Sequence, residues 1–128
     1  DNPDGSIMMV VATDAPVLTN GLNRIAKRAM LGLARTGATS SHGSGDYVIA
    51  FSTSKPLRSK FQSSKIAEGS KVVRGDKLSP LFQAVIEATE EAVYNSILKA
   101  VDVTGRDGNT RKALPVDRLL EIMKKYNH

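Results

Sequence analysis

The run Ile7-Met8-Met9-Val10-Val11-Ala12 is apolar without interruption, opens directly after Gly5-Ser6 and stops at Thr13-Asp14-Ala15-Pro16. Side chains alternate along an extended chain, so Ile7, Met9 and Val11 fall on one face and Met8, Val10 and Ala12 on the other. With both faces apolar, the run predicts a central strand covered on two sides. That demands a layered sheet rather than a surface hairpin.

Tyr47-Val48-Ile49-Ala50-Phe51-Ser52-Thr53 has the same character and predicts a second central strand. Between the two, Leu22, Ile25, Ala26, Ala29, Met30 and Leu33 keep helical spacing, with Thr19 or Asn20 as the cap and Gly37 as the end. The small residues Ala29, Gly32 and Ala34 predict close packing of that helix. Residues 55–79 are rich in Ser, Lys and Gly, with a short strand expected at Ile66 to Val73. Ser79-Pro80 predicts a helix start, the serine as N-cap and the proline at the first helical position. A stripe of Phe82, Val85, Ile86, Thr89, Val93, Ile97 and Ala100 carries this helix to about Val101. Thr104 to Asn109 form a turn cluster, and Pro115 with Asp117 opens a last short helix whose Leu119, Leu120, Ile122 and Met123 are expected to face inward. The order strand, helix, strand, irregular segment, helix, helix predicts a single α/β layered unit over residues 1–128.

With 128 residues, 41% of them hydrophobic, the chain can bury one core. It has no Cys, which excludes a disulfide scaffold, a thiolate metal site and a cysteine nucleophile, and its two His are too far apart in sequence to predict a metal site. No cofactor is expected. No apolar run approaches the roughly 20 residues of a membrane helix, and the first residues lack a basic-then-apolar signal pattern, so a cytoplasmic protein without a membrane partner is expected. The net charge of +5 raises the question of nucleic acid. Arg24, Lys27, Arg28 and Arg35 lie on one predicted helix, Lys55, Arg58, Lys60 and Lys65 in one loop, and Lys124-Lys125 near the end. They are dispersed and do not interleave with aromatic residues as a stacking platform requires. No nucleic-acid partner is expected; the basic groups read as a solvated or subunit-facing surface.

The chemistry concentrates at the heads of the two strands. Ser6 stands at the mouth of the first, behind a glycine with no side chain to shield its carbonyl, which makes Gly5-Ser6 a candidate scissile bond and Ser6 a candidate nucleophile. Ser44-Gly45-Asp46 stands at the head of the second. Ser44 and Asp46 project to the same face, where a carboxylate can orient or polarise a hydroxyl. If the strands are neighbours, their polar heads meet. Asp14 before Ala15-Pro16 reads as a turn or structural group, His42 as a loop residue or a substrate-side neighbour, and His128 as a terminal residue without a role.

Asp4-Gly5-Ser6-Ile7, Val10 to Pro16, Arg24 to Ala29 with Gly32 to Gly37, and Gly43-Ser44-Gly45-Asp46-Tyr47 to Thr53 together resemble the C-terminal, or β, part of the self-processing serine aminopeptidases. That group contains the L-aminopeptidase/D-Ala-esterase-amidase, the β-peptidyl aminopeptidases and the nylon-oligomer hydrolases. Gly105-Arg106-Asp107-Gly108 and Ala113-Leu114-Pro115 extend the resemblance over nearly the whole chain.

The resemblance implies an αββα sandwich layered like the N-terminal nucleophile hydrolases, made as one precursor and cut autocatalytically between Gly5 and Ser6. It implies a serine aminopeptidase or amidase that releases N-terminal residues from short peptides, amides or esters through an acyl-enzyme on Ser6, with Ser44 and Asp46 assisting. Some relatives carry Glu where this chain has Asp46, which shortens the reach of the acid. The implied partners are the N-terminal, or α, part of the same precursor and a short peptide or amino-acid amide substrate, with αβ pairs assembled into a homo-oligomer. With Gly5 still joined to Ser6, and without the α part, the polypeptide is expected to be inactive and poorly soluble or associating. Two other readings stand beside this one: a non-catalytic binding or assembly module of the same fold, and an acyltransferase of the ornithine acetyltransferase type, which the serine at position 6 disfavours because those enzymes use threonine.

Overall fold

The computed structural model describes residues 5–59 and 71–126, grouped by their contacts into two compact units, residues 1–90 and 91–128. In the first unit, strand β1 (Met8–Thr13) is followed by helix α1 (Thr19–Arg35), strand β2 (Tyr47–Ser52) and the start of helix α2 (Ser79–Leu98). β1 and β2 pair in parallel, from Met8 opposite Tyr47 to Thr13 opposite Ser52. Parallel neighbours cannot be joined by a tight turn, and α1 supplies the long crossover they need.

α1 covers one face of the pair. Its stripe is as the spacing predicts, with Ile25, Ala29, Gly32 and Leu33 buried. Val17, Ile25 and Leu78 form the centre of the core, packed by Val11 and Ala50 from the strands and by Leu22, Val73, Phe82 and Val85. Ile25 is 0% exposed, and truncating such a side chain to alanine costs about 2–5 kcal/mol. Arg24 and Arg28 lie over the Phe82 ring, at 4.9 and 4.1 Å from its centre. Each such contact contributes about 0.5–1 kcal/mol, so part of the basic surface is bound to an aromatic face rather than solvated.

The other face of the sheet differs from expectation. Met8, Val10, Tyr47, Ile49 and Phe51 are exposed, Val10 by 65%, so the strands are covered on one side only among the described residues. Apolar alternation on both faces shows that each face is built for burial, but it does not say which segment of a protein provides the cover.

Three helix boundaries also differ. α1 begins at Thr19 after Leu18 with no side-chain cap, so neither Thr19 nor Asn20 acts as one. Ser79 is not an N-cap but already helical (φ −57°, ψ −42°), because a 3-10 turn at Gly75–Leu78 runs straight into α2. α2 ends at Leu98 rather than near Val101. The strand expected at Ile66 to Val73 lies mostly outside the described residues; Lys71 to Val73 are not in a strand, and Val73 N–H donates instead to the Pro16 carbonyl at 2.9 Å. Gly37 ends α1 as expected, with φ +94° and its N–H donating to the Ala34 carbonyl at 3.1 Å.

In the second unit the turn cluster is a small hairpin, β3 (Val103–Thr104) antiparallel to β4 (Thr110–Arg111). Asp102 ties its base. One carboxylate oxygen accepts from Lys112 Nζ at 2.7 Å and the other from Ala113 N–H at 2.8 Å. Helix α3 (Val116–Lys125) follows, preceded by Pro115. Leu120, Ile122 and Met123 are 49, 47 and 40% exposed; the inward face read from the spacing is present as an apolar stripe but is not buried. Among the described residues no helix is long and apolar enough to cross a membrane.

The small-residue packing on α1 is tight at one point. A Cβ on Gly32 would stand 2.5 Å from the Ile86 carbonyl oxygen and 2.7 Å from Thr89 Cβ. Backbone on one side and a buried side chain on the other cannot yield locally. Gly32→Ala is expected to destabilise the protein by about 1–3 kcal/mol, the usual cost of overpacking, seen as a lower urea midpoint with an unchanged slope. The Lys112 ammonium, and then the Ala113 N–H, hold the Asp102 carboxyl below its ordinary pKa. Its tie to the hairpin base is therefore complete above the ordinary carboxylate value and lost as pH falls through the lower folded one. A titration followed by NMR should show the Ala113 amide moving together with the Asp102 carboxyl, and Lys112→Ala should raise the midpoint of both.

Candidate active site

The parallel register continues upstream of β1 and β2: Tyr47 N–H donates to the Ile7 carbonyl at 3.0 Å. This sets Gly5-Ser6 beside Ser44-Gly45-Asp46, residues that the sequence places 39 apart. The polar heads of the two strands meet.

The contact grips the Gly5-Ser6 peptide at two atoms. Ser44 Oγ lies 2.9 Å from the Gly5 carbonyl oxygen, and Gly45 N–H donates to Ser6 Oγ at 3.0 Å. Ser44 Oγ also stands 2.8 Å from both carboxylate oxygens of Asp46. A serine has one hydroxyl proton, so at any moment Ser44 serves either the Gly5 carbonyl or Asp46, and the proton can move between them by rotation about one bond. Ser6 is exposed, while Ser44, Gly45 and Asp46 are half-buried. Beside them opens a cavity of about 360 Å³ whose wall includes Leu33, Thr39 and Ser41 as well as Gly5, Ser6, Ser44 and Asp46.

The loop that delivers Ser44 is built from tight turns. Gly43 has φ +94°, a conformation suited to glycine, and Ser44 N–H donates to the Ser41 carbonyl at 3.0 Å. Ser40, with φ +47°, is one of two non-glycine residues among those described in the left-handed region.

Gly5, Ser6, Ser44 and Asp46 are thus together. His42 is exposed on the same loop but does not line the cavity. Asp14 follows the last residue of β1 while Ser6 precedes the first, a separation of roughly 25 Å at the rise of an extended chain; it is no neighbour of the site. Sequence reasoning passed over the part played by Gly45, whose composition, between Ser44 and Asp46, is that of an ordinary turn glycine. Among the described residues no three His, Cys, Asp or Glu side chains gather as metal ligands.

The fold that carries this strand pair under a helix superposes on solved structures of the serine aminopeptidases. The L-aminopeptidase D-Ala-esterase/amidase of Ochrobactrum anthropi, described as a prototype for the serine aminopeptidases and a variant of the Ntn hydrolase fold, superposes with a TM-score of 0.76 at 30% identity over 93% of this chain. The PH0078 protein of Pyrococcus horikoshii OT3 superposes with a TM-score of 0.82 at 48% identity over 97%. In sequence, the β-peptidyl aminopeptidase BapA of Sphingosinicella microcystinivorans is 43% identical over 96% of the chain. Residues 1–111 match peptidase family S58, and the chain belongs to that family. It spans about a third of each relative: 31% of the BapA protein, 33% of the Ochrobactrum chain and 34% of the Pyrococcus chain.

The grip on Gly5 has a direct spectroscopic consequence. Hydrogen bonding to a carbonyl oxygen deshields its carbon, so in the uncleaved chain Ser44→Ala is expected to move the Gly5 carbonyl 13C resonance upfield. His42→Ala should leave it in place; an unmoved Gly5 resonance in Ser44→Ala contradicts the contact.

Proposed function

We propose that the complete protein is a self-processing serine aminopeptidase in which Ser6 is first the agent of its own release and then the nucleophile toward substrate. The observation that carries this reading is the double grip on the Gly5-Ser6 peptide, its carbonyl oxygen by Ser44 Oγ and its prospective nucleophile by Gly45 N–H. Family membership supports it.

In the cut, Ser6 Oγ attacks the Gly5 carbonyl carbon and the carbon–nitrogen bond breaks. The Oγ proton ends on the departing nitrogen, leaving Gly5 esterified to Ser6 Oγ. Water then hydrolyses that ester to a Gly5 carboxylate and a free Ser6 hydroxyl. Ser44, directed by Asp46, hands its proton toward the Gly5 oxygen as negative charge gathers there. The glycine at position 5 leaves the carbonyl open and tolerates the bent backbone of the shift.

The cut also makes a base. The new α-amine of Ser6, whose ordinary pKa is near 8, accepts the hydroxyl proton when Oγ attacks the acyl carbon of a substrate's N-terminal residue, and returns it to the leaving amine. The resulting acyl-enzyme is hydrolysed by water. Short peptides, amino-acid amides and esters are the substrates this chemistry admits. The partner that completes the site is the N-terminal part of the same precursor, which covers the apolar face of Met8, Val10, Tyr47, Ile49 and Phe51 and supplies the remaining oxyanion donors; αβ pairs then assemble into a homo-oligomer.

Intact-mass analysis of the complete precursor at neutral pH is expected to show two fragments, one beginning Ser6-Ile7-Met8-Met9, while Ser6→Ala stays whole. In the cleaved enzyme Asp46→Ala should lower kcat by about 10²- to 10⁴-fold, the usual range for a lost proton-handling group. A Ser6→Ala precursor that still divides, or a wild type that is not labelled at Ser6 by a serine-directed acylating probe, would sink the proposal, the second result identifying a non-catalytic module. More acyl transfer than hydrolysis in the product mixture would favour the acyltransferase reading.

A further inference from the structure

Gly45 donates its N–H to Ser6 Oγ at 3.0 Å. A Cβ in its place would stand 3.1 Å from that same Oγ, 3.7 Å from Ser6 Cβ and 3.5 Å from Tyr47 Cε2. Among the described residues the glycines in the left-handed region are Gly37, Gly43, Gly75 and Gly108; Gly45 is not one of them, so its backbone conformation does not call for glycine. The space does, and the tightest contact in that space is the hydroxyl of Ser6.

From these two observations we infer that Gly45 is a positioning residue for the nucleophile. The missing side chain lets Ser6 Oγ approach the backbone, and the backbone N–H then holds one oxygen lone pair, which turns the attacking lone pair and the hydroxyl proton away from β2. The division of labour is specific: Ser44 acts on the carbonyl under attack, Gly45 on the oxygen that attacks. As Oγ surrenders its proton its negative charge grows, and a hydrogen bond to a charged oxygen is stronger than one to a neutral hydroxyl. A donor already in place therefore favours the step more than the resting state, with no reorganisation at the moment of reaction. Alanine keeps the N–H but moves the oxygen it serves. This inference rests on the reading of Ser6 as nucleophile and deepens it.

The test uses the complete precursor with Gly45→Ala, alone and combined with Ser6→Ala. Gly45→Ala is expected to fold, to cut itself more slowly and, once cut, to show kcat lowered on the order of 10²-fold, the scale of a misplaced reacting group, with KM little changed. A serine-directed acylating probe should still label every Ser6, only more slowly, which separates a slow site from a damaged population. In the Ser6→Ala background the added methyl has no Oγ to meet, and the thermal midpoint should not respond to it. Wild-type rates in Gly45→Ala overturn the inference and leave the nucleophile standing. An equal loss of midpoint or of folding in both backgrounds also overturns it, since the glycine then serves the fold. Wild-type turnover by Ser6→Ala defeats the nucleophile reading itself.

Discussion

The parallel pairing of β1 with β2 is the constraint on which the site depends. It is a long-range contact, held in register from Met8 opposite Tyr47 to Thr13 opposite Ser52, and everything upstream of it follows. Because side chains alternate, a slip of a single residue would turn Ser44 and Asp46 to the opposite face and carry Gly45 away from Ser6. The register is protected by burial on the helix side, where Val11 and Ala50 pack into the core around Val17, Ile25 and Leu78. Packing far from the chemistry thus sets its geometry.

The sheet is unequal on its two sides. α1 seals one face, while Met8, Val10, Tyr47, Ile49 and Phe51 leave an apolar band on the other. Contiguous apolar surface of this kind marks a place where a further layer packs, and an αββα sandwich closes that side with its second sheet. The same five side chains that define the strands locally are the apolar surface left open among the described residues. Ser6 and Gly45 continue the alternation of that exposed face.

Much of this was legible in the residues. Both strands and α1 follow from apolar periodicity, and the meeting of Gly5-Ser6 with Ser44-Gly45-Asp46 follows once the strands are neighbours. What was not legible has physical causes. Two-sided apolarity in Ile7 to Ala12 reads as burial, yet it cannot say which segment provides the cover. Ser79 before Pro80 has the composition of a cap, but Gly75–Leu78 already carry the backbone into a helical turn. Leu120, Ile122 and Met123 keep helical spacing whether or not anything packs on them. Gly45 was the least visible of all, because a glycine valued for what is absent beside a residue 39 positions away leaves no trace in its own neighbourhood.

That separation of 39 residues has one more consequence. In an unfolded chain Gly5-Ser6 is an ordinary peptide bond, with nothing near its carbonyl or its hydroxyl beyond water. Only when α1 has formed and β2 has docked do Ser44 and Gly45 reach it. A cut that depends on those two groups, as proposed, would be a checkpoint, withheld from nascent and misfolded polypeptides and not undone by later unfolding. The new chain end would then be a permanent record that the molecule had, at least once, been correctly folded.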